Sequence, residues 1–201
     1  MDVITQNTIA HVIEATMKAK DPYTVQHQQR VTQIALSIGE KMDLSGDTMA
    51  KLRIAGTLHD LGKISVPTEI LVKPGRLSDL EFSIIKTHPM VGYDILQPLE
   101  LSQLTTQIIL QHHERWNGSG YPHGLSGGNI LLEARILGVA DVVEAMAADR
   151  PYRPALGIDK ALEEVSRNKG ILYDPKVAEA CAQLYAESKL DILKTKWAMA
   201  H

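Results

Sequence analysis

Residues 58–67 read LHDLGKISVP, and in them His59 and Asp60 stand side by side near the expected end of a helix. Neighbouring side chains on a helix diverge by about 100°, so they reach different points of one site. Asp60 can therefore bridge two metal ions while His59 binds only one of them. Gly62 follows directly and is expected to let the chain turn away without covering that site.

Further potential metal ligands lie at or near the ends of other expected helices, namely His27, His88, His112, His113 and Asp141. One such histidine alone is usually a packed or surface residue. The whole set indicates metal binding, since imidazole and carboxylate together suit Fe, Mn, Zn and related ions. Separate helices could bring His27 and Asp141 to the metal of His59. The other three histidines would complete a second metal that shares Asp60. The histidines outside this pattern are interpreted as structural or solvent-exposed, namely His11, His123 and His201.

Apolar residues at helical spacing continue through the chain and predict an all-α fold, a compact helical bundle. Helix starts are marked by an N-cap with proline or by a capping box, at Asp21-Pro22, Asp174-Pro175 and Ser78 with Glu81. We expect long helices over about residues 2–19, 21–39, 47–61, 101–113, 131–149, 158–169 and 175–198. A short helix is expected to open at Pro67, the next helix to start at Ser78 and a further helix to follow Pro89.

The doublet His112-His113 runs straight into a glycine-rich stretch, HHERWNGSGYP over residues 112–122. Residues 115–130 contain five glycines and Pro122, which predicts one long loop. A loop of this length inside a compact domain is more often functional than idle. Gly120 would let the loop backbone approach a ligand closely.

The composition limits the class of protein to which the chain can belong. Its 201 residues carry a formal net charge of -3 with both signs mixed, which argues against binding of a nucleic-acid polymer. Cys181 is the single cysteine, so no intramolecular disulfide can form, and a reducing compartment fits. Neither a signal peptide nor a stretch of about 20 apolar residues is visible. We therefore expect a cytoplasmic protein without membrane insertion.

The ordered motifs resemble the HD-GYP family of the HD superfamily over residues 21–175. The motifs that carry the resemblance are HDLGKISVPTEILVKPGRLSDLEF, HHERWNGSGYP with Gly120, Tyr121 and Pro122, DPYTVQHQQRV, KTHPMVGYDIL, ARILGVADVVEAMAADRPYR and ILYDP. The resemblance implies an all-helical, metal-dependent phosphodiesterase that hydrolyses the bacterial second messenger cyclic di-GMP to pGpG or GMP. Cyclic GMP-AMP is a second substrate that it implies.

The resemblance also implies a metal centre and a domain arrangement. It implies two, sometimes three, divalent ions, commonly Fe or Mn. Histidine and carboxylate ligands in general also accept Zn, Co and Ni. One ion is assigned to His27, His59, Asp60 and Asp141, and the other to Asp60, His88, His112 and His113. Such domains usually follow a sensor or receiver domain. Residues 1–20 are therefore expected to form an N-terminal helix that connects domains or dimerises, and residues 21–201 the phosphodiesterase domain.

Three positions depart from the family pattern. Trinuclear members have a glutamate four residues before the first histidine ligand, and Tyr23 stands there in this chain, which predicts two metals. Glu144 stands where many members have aspartate. Asn117, in the loop before Gly120, also stands where aspartate is common. None of these departures removes a ligand, so an active enzyme is expected.

The chemistry follows from charge. A phosphodiester is anionic and repels hydroxide, so two cations would offset its charge. A water held between them loses a proton near neutral pH, and the resulting hydroxide is expected to attack phosphorus in line with the leaving 3′ oxygen. Lys63, one turn after Asp60, either holds a phosphate oxygen in this reaction or is a solvated lysine at a helix end.

Several substrate contacts have two interpretations each. Arg150 and Arg153, just past the helix of Asp141, either grip phosphates as planar forks or cap helix carbonyls. Tyr121 either stacks on guanine or donates its hydroxyl, or it anchors the loop. Trp116 is interpreted as a loop anchor.

Two other functions fit the family. The domain could be a binding module that docks on partners such as diguanylate cyclases with a GGDEF domain, although the intact ligand set speaks against a module without turnover. It could also be a di-iron oxygenase, as some HD-superfamily proteins are. The GYP loop and the basic residues near Asp141 favour phosphate chemistry.

Overall fold

Helices account for nearly all regular structure in the computed structural model, which describes residues 3–20, 22–149 and 155–187. The α-helices are α1 (Val3–Lys20), α2 (Pro22–Lys41), α3 (Gly46–Leu58), α4 (Thr68–Leu71), α5 (Asp79–Ile85), α6 (His88–Leu96), α7 (Gln103–Gln111), α8 (Leu132–Ala147), α9 (Ile158–Arg167) and α10 (Pro175–Ala186). Short 3-10 helices span Leu61–Ser65, Gln97–Leu99 and Gly127–Asn129. These residues contain no β-strand, only two isolated bridges, so the all-α prediction is confirmed.

α2 is central to the bundle and packs against α1, α3, α8 and α10. Its residues Val31, Ala35 and Ile38 are fully buried and repeat at about one helical turn, so they form a stripe that faces the core. Burial of a large aliphatic side chain of this kind contributes about 1.5–3 kcal/mol. His27 lies one turn before this stripe on the same helix, and the packed core therefore holds it inside the molecule.

The N-terminal helix α1 packs on α2 and α3 and contributes Ala10 to the core. Its Ile4 and Val12 side chains are 79% and 61% exposed, so one part of this helix presents apolar groups to the outside. The role of residues 1–20 in connecting domains or in dimerisation stays a prediction. None of the helices described here combines the length and the apolar character that crossing a bilayer requires.

The helix that carries His59 ends earlier than the sequence predicts. α3 stops at Leu58, His59 is its C-cap, and the chain continues as the 3-10 helix Leu61–Ser65. The predicted end near residue 61 was wrong because the His59 ring hydrogen-bonds the carbonyl of Gly56 and Gly62 packs directly on α6. A Cβ atom on Gly62 would lie 1.9 Å from the carbonyl oxygen of His88. Gly62 is thus required for a close approach between two segments.

α2 also continues past its predicted end. It passes through Gly39 and finishes at Lys41. A Cβ atom on Gly39 would lie 2.7 Å from the sulfur of Met49 in α3. This glycine therefore allows two helices to pack closely, and it does not end the helix.

The predicted helix starts are largely confirmed. Ser78 and Glu81 form the expected capping box at α5. The Asp174 carboxylate accepts hydrogen bonds from two backbone N–H groups of α10, directly before Pro175. The matching signal at Asp21 and the predicted end of the last helix near residue 198 lie outside the described residues. The loop predicted for residues 115–130 is present, apart from its short 3-10 turn.

Candidate metal centre

Five parts of the fold bring all seven predicted ligand residues to one place. α2 supplies one histidine, the turn after α3 supplies the HD pair, the start of α6 and the end of α7 supply three histidines, and α8 supplies Asp141. Within each of two groups the ligand atoms lie no more than 4.8 Å apart, and we name them the His27 group (His27, His59 and Asp141) and the His88 group (His88, His112 and His113). A third set joins the two groups, namely His59, Asp60 and His112.

Asp60 lies between the two groups and is almost completely buried. Its Oδ2 atom is 3.6 Å from Nε2 of His27 and 3.6 Å from Nε2 of His59. Its Oδ1 atom is 3.5 Å from Nε2 of His88. The two oxygens therefore face different groups, which is the geometry that a carboxylate shared by two ions requires.

Three of the histidines are oriented by the same backbone contact. In each, Nδ1 hydrogen-bonds the carbonyl oxygen three residues earlier, as in His59 to Gly56 at 2.8 Å, His88 to Ile85 at 2.7 Å and His112 to Ile109 at 2.6 Å. A carbonyl can only accept, so Nδ1 carries the proton and Nε2 keeps a lone pair. Metal-binding histidines in proteins are commonly fixed in this way.

The lone pairs that result fit a cation. Nε2 of His59 is buried and has no hydrogen-bond partner within the described part of the chain. Nε2 of His88 lies 3.4 Å from Nε2 of His112, and two lone pairs cannot hydrogen-bond each other. A buried polar atom without a partner costs free energy, and an ion bound by these nitrogens would remove that cost. The donor set thus fits bound divalent metal.

The charge states of these groups also suit the binding of a cation. Burial lowers the pKa of His88 to about 4. Burial and the neighbouring imidazoles hold the pKa of His112 and of His113 well below the usual value. Burial alone would raise the pKa of Asp60, but Lys63 and the nearby histidines hold it well below the usual range of a carboxyl. At neutral pH these residues therefore offer neutral imidazoles and a carboxylate.

His27 has a different environment. Its Nε2 atom is 3.2 Å from Asp141, and its Nδ1 atom contacts the fully buried Glu144, which also accepts from Nε of Arg30 at 2.5 Å. Burial alone would lower the pKa of His27, but the hydrogen bonds to Asp141 and Glu144 raise it to about 9. Sequence reasoning noted Glu144 only as a departure from the family pattern. Its position three residues after Asp141 on one helix face was the signal that could have placed it in the site.

Of the three predicted phosphate-binding residues, the structure describes only Lys63. The Nζ atom of Lys63 lies 2.7 Å from Oδ2 of Asp60 and is partly buried, which argues against a purely solvated lysine. Its contact with a phosphate stays a prediction. Arg150 and Arg153 lie outside the described residues.

The glycine-rich loop lies directly on the end of α7. A Cβ atom on Gly120 would be 2.4 Å from the backbone nitrogen of Arg115, so this position accepts only glycine without a shift of the loop. The next residue, Tyr121, donates its N–H to the carbonyl of His113 at 3.2 Å. Its ring stacks on the His113 ring with centroids 4.8 Å apart and planes 28° apart. The peptide between Tyr121 and Pro122 is cis. One face of Tyr121 therefore anchors the loop.

The other loop residues named from the sequence also anchor it. Trp116 donates its N–H to the carbonyl of Leu172 at 3.0 Å, and the guanidinium of Arg135 lies 5.5 Å from its ring. Asn117 accepts from the N–H and the hydroxyl of Ser119. Sequence reasoning missed Glu114 and Phe82. Glu114 holds the loop, and Phe82 packs edge-on against Tyr121 at 6.5 Å.

A cavity of about 610 Å³ opens beside the centre, between α1 and residues 61–72. Asp60 and Lys63 are among its lining residues, while most of its wall is apolar, with Ile13, Ile64 and Leu71 contributing. Its size lies in the range of small-molecule sites in proteins. The cavity is linked to the candidate metal centre through Asp60, which belongs to both.

Comparison with known proteins places these features in context. A model of the HD domain family matches residues 11–177. The chain is 39% identical over 177 residues to the cyclic di-GMP phosphodiesterase response regulator RpfG of Xanthomonas campestris pv. campestris, which covers 87% of this chain and 47% of that protein. It is 38% identical over 158 residues to the 3'3'-cGAMP-specific phosphodiesterase 3 of Vibrio cholerae, covering 79% and 34%.

The fold has a solved counterpart as well. The structure of Bd1817, an HDG"Y"P protein from Bdellovibrio bacteriovorus, superposes with a TM-score of 0.69 at 16% identity, over 92% of this chain and 65% of that one. Similarity at this identity concerns the fold. The chain spans less than half the length of each of the two curated relatives.

Proposed function

This chain belongs to the HD domain family, and from that premise we propose that it hydrolyses cyclic di-GMP at two divalent metal ions. The observation that carries the proposal is the position of Asp60 between two groups of ligand atoms. A relative that hydrolyses cyclic di-GMP and one specific for 3'3'-cGAMP support a cyclic dinucleotide as the substrate class. Cyclic GMP-AMP is therefore the second substrate of the proposal, and pGpG or GMP the product.

The proposed ligands of one ion are the His27 group with Asp60, and those of the other are the His88 group with Asp60. Each ion would have four protein contacts, which leaves positions for substrate and water on Fe or Mn, whose coordination number commonly exceeds four. Tyr23 supports the count of two, because its hydroxyl donates to the carbonyl of Asp149 and it offers no carboxylate to a third ion. Nitrogen and carboxylate ligands suit Fe and Mn, and they also accept Zn, Co and Ni.

When bound, the two ions would offset the charge of the phosphodiester and make water nucleophilic near neutral pH. The protein's part is to hold and orient. Asp60 would keep the two ligand groups in register, and the backbone contacts of the histidines would fix their Nε2 atoms in direction. Lys63 would turn from Asp60 to a phosphate oxygen once the carboxylate binds metal.

The second phosphate of the dinucleotide needs a cation of its own. Arg150 and Arg153 are the candidates that the sequence offers, and their contacts stay predictions. Gly120, Tyr121 and Pro122 form the loop edge that faces the centre through His113, so they are proposed as substrate contacts. A homodimer through residues 1–20 and docking on a diguanylate cyclase with a GGDEF domain are proposals about partners. The exposed Ile4 and Val12 support such a contact.

The test is anaerobic purification with metal analysis, followed by product chromatography after incubation with cyclic di-GMP. We expect about two equivalents of metal, bound mainly as Fe or Mn, and a linear product. Oxygen uptake measured on the same samples distinguishes an oxygenase. An intact two-metal protein that hydrolyses neither cyclic di-GMP nor cyclic GMP-AMP would contradict the proposal and favour a binding module.

The shared ligand is tested by two substitutions. Asp60→Ala removes a ligand from both ions, so it should abolish turnover and lose most of the metal. His88→Ala removes a ligand from one ion and should retain about one equivalent at the His27 group. His11→Ala is the matched control, since this exposed histidine on α1 belongs to neither group. Full metal content in Asp60→Ala would contradict the proposal that Asp60 bridges two ions.

A further inference from the structure

Glu114 is a buried carboxylate that the proposed chemistry does not use. It directly follows His113, and the residue is 5% exposed. Its Oε1 atom accepts the backbone N–H of His123 at 2.7 Å, and its Oε2 atom accepts that of Leu125 at 3.0 Å. Across the residues that the structure describes, no cationic side chain forms an ion pair with it. A carboxylate buried in this way is costly unless hydrogen bonds satisfy it, and both bonds come from the loop.

These two hydrogen bonds attach the loop just after Tyr121 in the chain, and a further contact attaches it just before. Gly120 touches the backbone of residues 113–115, and the Tyr121 N–H donates to the carbonyl of His113. The loop is therefore attached to the end of α7 both before and after the Tyr121 ring. The ring has little freedom to leave His113 while these contacts persist.

Two adjacent residues thus have different partners. His113 belongs to the His88 group, and Glu114 holds the loop whose Tyr121 ring stacks on His113. We propose that Glu114 is a positioning residue that fixes the loop of residues 115–130 over the metal centre and thereby sets the affinity for the dinucleotide. The part that concerns the dinucleotide rests on the proposed function. The attachment of the loop does not.

The chemistry of the side chain explains why a glutamate is suitable. Two carboxylate oxygens can accept two N–H groups, one each. A glutamine keeps the shape but offers one oxygen and one NH₂ group, which would face a backbone donor. Glu114→Gln therefore loses one of the two loop contacts without a change in volume. Glu114→Asp keeps both acceptors but is one methylene shorter.

The direct test is amide hydrogen exchange at His123 and Leu125 in the metal-loaded protein. In Glu114→Gln, exchange at one or both amides should become about 10-fold faster or more, as expected for the loss of a buried hydrogen bond. Exchange in α2 and α8 should stay unchanged. Glu114→Asp should lie between the two. Glu163→Gln removes the same charge from an exposed site on α9 and should change neither amide.

The kinetic test separates positioning from chemistry. Glu114→Gln should raise KM for cyclic di-GMP roughly 10-fold with kcat little changed. Hydrolysis of bis-p-nitrophenyl phosphate, which has no second nucleotide to hold, should be nearly unaffected. If wild-type protein does not hydrolyse cyclic di-GMP, the proposed function fails, while the exchange result still decides the attachment. Unchanged exchange at both amides, or equal losses on both substrates together with faster exchange in α2, would overturn the positioning role.

Discussion

At the scale of single residues, His27 stands apart from the other four histidines of the centre. Its pKa of about 9 lies above the usual 6.5, because Asp141 and Glu144 both hydrogen-bond its ring and outweigh its burial. Between these two pH values the metal-free protein therefore keeps a proton that the free side chain would have lost. A metal ion needs the Nε2 lone pair, so binding must displace this proton.

We predict that Mn²⁺ binding near pH 7.5 releases about one proton from His27, and that this release disappears as the pH rises past about 9. His88, with a pKa of about 4, is already neutral there and adds none. Calorimetric titration in buffers of different ionisation enthalpy measures the released protons. In Glu144→Gln the amide cannot stabilise the imidazolium, so fewer protons should be released. Equal release in the variant and the wild type would show that His27 is not the source.

The residues of the centre were predictable because ligand types at suitable positions are visible in a sequence. All seven predicted ligand residues lie together in the structure. The supporting contacts were not predictable in the same way. The pair between His27 and Glu144 joins residues 117 positions apart, and it depends on how α2 crosses α8. Spacing along the chain carries no information on such a crossing.

At the scale of helices, most elements were predictable from apolar spacing and capping signals, but the ends that form the site were not. The end of α3 depends on the contact between His59 and a carbonyl one turn earlier, and on the approach of Gly62 to α6. Both are tertiary features. A glycine after a helix looks the same in a sequence whether it bends the chain or admits a neighbouring backbone.

We predict that Gly62→Ala destabilises the protein by about 1–3 kcal/mol or more, because the new Cβ atom would meet backbone atoms that cannot move aside. The nearest are the carbonyl oxygen of His88 at 1.9 Å and the nitrogen of Gly92 at 2.6 Å. Since His88 is a proposed ligand, metal content should fall as well. Denaturant unfolding and metal analysis measure the two effects.

The matched control for Gly62→Ala is Gly128→Ala. Gly128 has no atom within 4 Å of the position that a Cβ would take, so its substitution should change stability by less than about 0.5 kcal/mol. Similar losses in both variants would mean that the approach to α6 does not determine the effect.

At the scale of the whole molecule, the centre joins five separate parts of the fold, from α2 to α8. The unfolded chain cannot present these residues together, so metal would bind the folded state preferentially. At a free metal concentration of about 100 times Kd, such binding adds roughly 2.7 kcal/mol to the free energy of unfolding.

We therefore predict that chelation lowers Tm by roughly 5–10 °C, as expected for that free energy in a domain of about 200 residues. Thermal unfolding followed by far-UV circular dichroism, with and without chelator, measures the shift. His11→Ala should respond like the wild type, whereas Asp60→Ala should show little response because it binds little metal. An unchanged wild-type Tm in the presence of chelator would argue against a bound metal that stabilises the packing of these helices.

The backbone contacts of the three histidines also bear on the order in which metal and substrate would bind. Each contact uses a carbonyl from the last turn of a helix, in α3, α5 and α7, and helix C-termini carry a partial negative charge. Together with Asp60 and Asp141, these ends favour a bound cation, although the protonated His27 and the Lys63 ammonium offset the two carboxylates while metal is absent. In the proposed reaction the ions would bind before the dinucleotide, because they supply the positive charge that a dianion needs at this site. Metal supply would then limit turnover of the proposed substrate.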